Sequence, residues 1–124
     1  MHYGKFVGLD AKGISRIMQN TTGKKWGGIG VCPQAGSGSF DAVLTAVTCQ
    51  TVNVPVNLDG HAVILKKVAA GTVKYYDPVL AKDGVMSLGD LKSKIRSAAL
   101  PEDKLKGVKQ TASEMIRAKE RIKG

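Results

Sequence analysis

The sequence has few cysteines and no long apolar run. Among its 124 residues only Cys32 and Cys49 carry thiols, too few for a disulfide scaffold or for the ligands of a structural zinc ion. No apolar stretch approaches the roughly 20 residues that a membrane-spanning helix requires. We therefore expect no membrane span and no metal site, and the length predicts a single domain over residues 1–124.

The glycine patterns that bind nucleotides are also missing. The chain contains no phosphate-binding loop of the Gly-x-x-x-x-Gly-Lys-Ser/Thr type and no dinucleotide fingerprint between a strand and a helix. Such patterns supply the backbone N–H groups that hold phosphates, so we expect no nucleotide cofactor. No other segment points to a cofactor of another kind.

Positive charge is absent from the middle of the sequence. The chain carries 19 Lys and Arg against 10 Asp and Glu, a net charge of +9, yet residues 26–65 contain no Lys or Arg. Basic residues therefore flank a central segment. This layout favours a polyanion such as RNA, or an acidic protein such as an inhibitor or immunity protein, as partner. The alternative is that the lysines only solvate a helical surface.

The first half of the chain predicts a helix, a loop and a strand. Residues 10–19 place apolar side chains at three-to-four spacing after an acidic cap, and residues 20–39 are glycine-rich, which favours loops. Residues 40–48 are a short apolar run that fits a buried helix or a strand, with helix favoured for its first half. Residues 51–57 alternate valine with other residues and predict a half-buried strand, which Pro55 places at a sheet edge.

The second half predicts a hairpin and two helices. Residues 61–68 and 72–77 are β-rich runs, and the small residues 69–71 between them suit a hairpin loop. A Ser-x-x-Asp cap opens a helix over residues 88–100, and a proline opens another over 101–123. The sequence therefore predicts an α+β fold, in which an N-terminal helix and two C-terminal helices accompany an antiparallel sheet of three or more strands.

His61 and Asp77 are the candidate catalytic pair of this hairpin. A loop centred on residue 70 puts His61 opposite Val79, which makes Asp77 its diagonal neighbour on the same face of the sheet. A carboxylate there would fix the imidazole tautomer and leave the other ring nitrogen to take a proton. A four-residue loop would break this parity unless a bulge intervened.

Either cysteine is a candidate nucleophile. Cys32 lies in the glycine-rich segment ahead of a possible helix, where a helix N-terminus favours a thiolate and its N–H groups can bind an oxyanion. Cys49 ends an apolar run, and we expect a buried, inert thiol there. This contrast favours Cys32, and a purely structural role for both thiols is the alternative.

The hairpin also resembles a known enzyme family. Gly-His before an apolar strand, a short turn, and a second strand ending in Tyr-Tyr-Asp-Pro are similar to the His and Asp half of papain-like cysteine hydrolases, particularly double-glycine peptidases and papain-fold bacterial toxin domains. The similarity covers residues 59–91, including a later Ser-Leu-Gly-Asp-Leu. The sequence departs from the family where the cysteine should stand: no Gln-x-x-x-x-x-Cys lead-in is present, and Pro33 follows Cys32.

The resemblance implies a papain-like fold and a function. His61 would be the general base, Asp77 its orienting partner and Cys32 the nucleophile of a hydrolase acting on an amide or a thioester. A toxin domain of this kind would be delivered into a target cell as part of a larger secreted protein. The alternative location is the cytoplasm of the cell that makes the protein.

Two other functions remain open. A basic RNA endonuclease toxin would use His61 as acid or base in attack by a 2′-hydroxyl, and would need no cysteine. Cations would stabilise the phosphate and an aromatic ring would stack a base, and the candidates are Lys24, Lys25, Trp26, Lys66, Lys67 and Lys74. Trp26 could instead be a buried core residue. The second alternative is a non-catalytic binding module in which His61 and Asp77 are a surface pair.

Overall fold

One antiparallel sheet forms the centre of the protein. A computed structural model describes residues 8–33, 38–49 and 52–122. Within them the strands are β1 (Trp26–Gly30), β2 (Val54–Leu58), β3 (His61–Ala69), β4 (Thr72–Asp77), β5 (Lys82–Ser87) and β6 (Ile95–Pro101). The helices are α1 (Ala11–Thr22), α2 (Ser39–Cys49), α3 (Leu88–Lys94), α4 (Glu102–Leu105) and α5 (Ala112–Arg117). The strand order is β1-β6-β2-β3-β4-β5, which confirms the α+β class.

The sheet carries an apolar layer on each face. On one side, the α2 face, Val43 of α2 and Val63 of β3 belong to one buried cluster. On the other side, the α1 face, Met18 of α1 and Ile64 of β3 belong to a second cluster. Alternate residues of β3 therefore serve both cores. No helix in the described residues is long and apolar enough to cross a membrane.

The two helices of the first half are confirmed. Asp10 caps α1 by accepting a hydrogen bond from the backbone N–H of Gly13 at 2.8 Å. The helix continues beyond the predicted residue 19 and ends at Gly23, which has the left-handed conformation of a common helix stop. The apolar run of residues 40–48 is helical along its whole length.

The glycine-rich segment contains a strand, so its prediction as loop was wrong for β1. Pairing with β6 runs from Trp26–Pro101 to Gly30–Ser97. Glycine is needed there because helices lie close to the strand: a β-carbon on Gly28 would come within 2.6 Å of the Ala11 side chain. Residues 34–37 of the predicted loop lie outside the described residues.

The valine-rich strand is central, not at an edge, which corrects the prediction from Pro55. β2 lies between β3 and β6 and is buried along its whole length. Its pairing with β6 starts at Val56. Pro55 lies before that point, so its missing backbone N–H removes no hydrogen bond to a β6 carbonyl. Residue 51, where the strand was predicted to begin, lies outside the described residues.

The C-terminal third forms a helix, a strand and two short helices in place of two long helices. Ser87 caps α3 as expected by accepting a hydrogen bond from Asp90, but residues 95–101 form β6. That segment fills the gap between β1 and β2, and tertiary pairing overrides its helical spacing. Beyond α4, Gly107 has a φ of +80° and interrupts the helix predicted over 101–123, whose residue 123 lies outside the described residues.

A buried carboxylate ties the C-terminal segment to the start of α2. Glu114 of α5 is completely buried. Its Oε2 accepts hydrogen bonds from the backbone N–H of Cys32, at 3.2 Å, and from the hydroxyl of Ser39. Its Oε1 accepts from the N–H of Thr111 at 3.0 Å, which completes a capping box for α5. The carboxylate therefore holds three separate parts of the chain together.

We expect Gly30→Ala to lower the free energy of unfolding by about 3 kcal/mol or more, because the new β-carbon would overlap the backbone of Glu114. Gly89→Ala is the control, since its β-carbon meets only the Ser87 hydroxyl at 3.8 Å and alanine favours a helix. Urea unfolding should show the control unchanged or more stable by up to about 1 kcal/mol. Equal stability of the two variants would contradict this packing.

Candidate functional site

His61 and Asp77 meet on the α2 face, which confirms their predicted juxtaposition. The two side chains come from the adjacent antiparallel strands β3 and β4, and His61 Nε2 lies 2.8 Å from Asp77 Oδ2. Ile64 pairs with Tyr76, so His61 and Asp77 are diagonal neighbours on one face. The structure therefore holds an imidazole and a carboxylate in hydrogen-bond contact.

The turn between the two strands differs from the predicted loop, whereas the pairing nearer the site, Leu65 with Tyr75 and Ile64 with Tyr76, has the predicted register. The loop is a two-residue turn in which Ala70 and Gly71 have φ of +53° and +79°, and Ala69 pairs with Thr72. An even loop alone would turn His61 to the α1 face. The pairing shifts between Leu65 and Lys67, so that Lys66 is an extra residue and the parity is restored.

Asp77 is fixed by its own turn as well as by His61. Its Oδ1 accepts hydrogen bonds from the backbone N–H groups of Val79, at 2.9 Å, and Leu80, at 3.2 Å. Burial acts to raise the pKa of this carboxyl, but the hydrogen bonds and the charge of His61 outweigh it, so the pKa of Asp77 lies below its ordinary value. The carboxylate is therefore ionised and held in one orientation near neutral pH.

The imidazole faces a pocket on the surface. The side chain of His61 is 40% exposed, whereas that of Asp77 is only 10% exposed. Nε2 is engaged by Asp77, and within the described residues Nδ1 has no hydrogen-bond partner. The pocket has a volume of about 300 Å³ and is lined by Leu58, Asp59, His61, Val63, Tyr75, Asp77, Met86 and Lys94. A molecule bound in it would contact a half-exposed imidazole.

Cys32 lies at the same end of the sheet as His61 but on the far side of two strands. Val31 donates its N–H to the carbonyl of Arg96, Ile95 pairs with Leu58, and Leu58 pairs with His61. Three strand spacings of about 4.8 Å put the α-carbons of Cys32 and His61 about 14 Å apart. The half-buried thiol is therefore not brought into contact with the imidazole.

Cys49 is exposed, which corrects the prediction of a buried thiol. It is the last residue of α2. The carbonyl of Ala46 accepts a hydrogen bond from Val52, just before the first residue of β2. The first residue of β2, Val54, is at the opposite end of the strand from Leu58, which pairs with His61. Cys49 is therefore near the end of β2 that is remote from His61. Both cysteines are free thiols.

Three of the lysines proposed to stabilise a phosphate at His61 lie on the wrong face. Lys67 is directly opposite Lys74, and Lys74 is on the same face of β4 as Tyr76, which packs with the α1 cluster. Lys66 reaches Asp83 at 3.3 Å beside them. The sheet separates these side chains from His61, so they cannot contact a phosphate that His61 acts on.

The Lys24, Lys25 and Trp26 group is also distant from His61. It lies where β1 begins, and Trp26 pairs with Pro101 at the end of β6 furthest from Ile95. The indole is half-buried against the α1 cluster and donates a hydrogen bond to Thr22 Oγ1 at 2.9 Å. Trp26 is therefore only partly buried at the margin of the core, and the two lysines are exposed beside it.

Sequence reasoning missed Tyr75 and two cations near the pair. Tyr75 shares the face of Asp77, and alternation along β4 could have identified it. Lys94 lines the pocket at the end of α3, and Lys82 is opposite Asp77 on β5. The predicted helix over residues 88–100 placed Lys94 in the middle of a helix, whereas α3 ends at Lys94. Among the described residues no cluster of three or more His, Cys, Asp or Glu side chains is placed to hold a metal ion.

We expect Asp77→Asn to lower the free energy of unfolding at pH 7 by about 1–3 kcal/mol, because a buried charge-assisted hydrogen bond is lost. A carboxyl with a lowered pKa stabilises the fold above its unfolded pKa of about 3.9, and this contribution is lost as the pH falls through the folded value. The difference between the two proteins should therefore persist at pH 5 and shrink below about pH 4.

Urea unfolding at pH 7, 5 and 3 measures this difference. Asp83→Asn is the matched control, since Asp83 is an exposed carboxylate that pairs with the exposed Lys66, and its effect should stay within about 0.5 kcal/mol. A difference for Asp77→Asn that is as large at pH 3 as at pH 7 would contradict the assigned role of its charge.

Comparison with known proteins adds no family to this geometry. No protein-family model matches the sequence, and no curated protein matches it. The functional argument therefore rests on the His61–Asp77 pair, its pocket and the charges around it.

Proposed function

We propose that the protein is a small papain-like hydrolase in which His61 is the general base and Asp77 its orienting partner. The observation that supports this is the 2.8 Å contact between Nε2 and a carboxylate that two backbone N–H groups also hold. That contact fixes the ring and stabilises its protonated form, while Nδ1 remains available on the side of the pocket. An amide or thioester carbonyl is the substrate group of such a site.

Cys32 is the nucleophile in this proposal. It lies at the same end of the sheet as His61, and α2, which follows it along the chain, packs on the same face as the imidazole. Cys49 lies at the other end of α2 and is the weaker candidate. About 14 Å separate the α-carbons and Glu114 holds the backbone of Cys32, so this role requires the segment of Cys32 to rearrange. The role of Cys32 is therefore tested directly, by its substitution with serine.

The reaction has two steps in which the imidazole carries one proton. His61 takes the thiol proton, the sulfur attacks the carbonyl carbon, and the leaving amine or thiol departs with that proton as an acyl–sulfur bond forms. A water molecule then attacks the acyl group, giving its proton to His61, and the acid is released as the thiol is restored. Asp77 stabilises the imidazolium in both steps and stays ionised.

A ribonuclease is the second candidate, favoured by cations on the face that carries His61. Lys94 lines the pocket, and Lys82 is directly opposite Asp77 on β5. In this reaction the 2′-hydroxyl of RNA supplies the nucleophile, so the separation of Cys32 from His61 is no obstacle. The pocket is lined by Tyr75 as well, and an aromatic ring offers a face on which a base can stack.

We expect His61→Ala to lower kcat/KM on a thioester or amide test substrate about 10²–10⁴-fold, the usual contribution of a general base. Cys32→Ser should reduce turnover to background, because a serine hydroxyl is a far weaker nucleophile in a site built for a thiol. Cys49→Ser is the matched control and should stay within about twofold of the unmodified protein, since its side chain is exposed and remote from the pocket.

The same variants separate the two candidate functions. Hydrolysis that survives in the Cys32→Ser/Cys49→Ser double variant would rule out the cysteine mechanism. Cleavage of RNA by that double variant, lost in His61→Ala, would establish the ribonuclease. An His61→Ala protein that keeps every activity of the parent would leave only a binding module.

If RNA is the substrate, its affinity should fall with added salt, with a log–log slope of about −0.7 for each phosphate neutralised on a single strand. Lys82→Gln/Lys94→Gln should flatten the slope by about 1, because these lysines flank the pocket. Lys24→Gln/Lys25→Gln removes the same charge far from His61 and serves as the control in a fluorescence titration. An equal effect of both pairs would show that RNA does not bind at the His61 pocket.

A further inference from the structure

The outer edge of β1 is hydrogen-bonded by side chains, whereas no described residue pairs with the outer edge of β5. At the β1 edge, Gln110 accepts a hydrogen bond from the N–H of Gly30 at 3.2 Å and donates one to its carbonyl at 2.9 Å, as a neighbouring strand would. Arg117 donates to the carbonyl of Val31 at 2.7 Å just beyond it. β5 pairs with β4 along its whole length, and no described residue pairs with its outer edge. An edge of this kind is a template for another strand.

Exposed apolar side chains lie before β5 and within it. Val79 and Leu80 precede β5 and are 50% and 59% exposed, and Val85 within it is 61% exposed. Charges usually protect an open edge, and in β5 they are confined to its first two residues, Lys82 and Asp83. Apolar groups beside an unpaired edge instead match the side chains of an added strand.

A basic groove beside β5 favours a negatively charged partner. It is lined by Lys66, Lys67, Lys74, Asp83, Gly84 and Val85. Lys67, Lys74 and Val85 form one row across three strands on the α1 face, so two ammonium groups are direct cross-strand neighbours. Like charges in that arrangement destabilise a sheet. The groove holds about 440 Å³, and Asp83 is the one carboxylate among its described lining residues. Acidic side chains of a partner would offset this repulsion.

We propose that the outer edge of β5 binds an extended acidic segment of a partner protein as a seventh strand. Its backbone pairs with β5, its carboxylates pair with Lys74 one strand further in and are attracted by Lys67 beyond it, and its apolar residues lie against Val85. A second copy of this chain is a poor occupant, since it would bring a further net charge of +9. Single-stranded RNA fits less well because the described groove residues include no aromatic ring on which bases stack.

The inference is independent of the proposed hydrolase. The groove opens on the α1 face, whereas His61 and its pocket are on the α2 face. Variants of the groove lysines therefore leave the candidate catalytic residues untouched. Each proposal can fail while the other stands.

The probe is a synthetic ten-residue peptide in which Glu and Val alternate, with binding followed by fluorescence polarisation. We expect Lys67→Gln/Lys74→Gln to weaken binding about tenfold, because two partly screened charge pairs are lost. Lys24→Gln/Lys25→Gln removes the same charge at the other edge of the sheet and should change binding less than about twofold. Circular dichroism of both variants checks that the fold is retained.

Backbone methylation tests the strand pairing directly. In an added strand, the N–H groups of alternate residues point towards β5, so N-methylation of one alternate set should abolish binding and methylation of the other set should not. Equal effects of the two sets, or equal effects of the two lysine pairs, would overturn the proposal. Binding of an oligouridylate that depends on Lys67 and Lys74, with no binding of the peptide, would also overturn it in favour of RNA.

Discussion

Strand β3 is held in register from both ends by tight turns, and its register determines both cores and the candidate site. The turns before and after it each place two residues at positive φ, which leaves little freedom in how the strand pairs. One extra residue, Lys66, reconciles the turn geometry with the packing. It lets His61 and Leu65 share the α2 face with Val68 further along. The same shift that buries the strand therefore brings His61 to Asp77.

The sheet also divides the positive charge into separate surfaces. Lys67 and Lys74 lie on the α1 face beside β5, whereas Lys82 and Lys94 lie near His61 on the α2 face. A net charge of +9 is consistent with attraction of polyanions in general, but a protein this small presents two different chemical environments for an anion. Near His61 a cation accompanies an acid–base group, and near β5 cations accompany an open backbone edge.

Local patterns predicted the hairpin and the pair, and long-range pairings escaped prediction. Alternation and turn composition place His61 beside Asp77 because their strands are consecutive. The Asp59–Gly60 pair between β2 and β3 has the composition of a tight hairpin turn, but Pro55 indicated an edge strand. β1 and β6 join distant parts of the chain through small residues, so neither has the periodicity that identifies a strand. The distance of Cys32 from His61 depends on those two strands.

The position of β6 has a consequence for how the chain acquires its fold during synthesis. This strand comes last in sequence but lies between β1 and β2, so the sheet stays in two parts until residue 101 has left the ribosome. A nascent chain that emerges N-terminus first exposes both edges of β1 and one edge of β2 for all of that time. Such late, non-local pairing slows folding relative to a sheet built strand by strand. The protein is therefore most open to mispairing while it is being made.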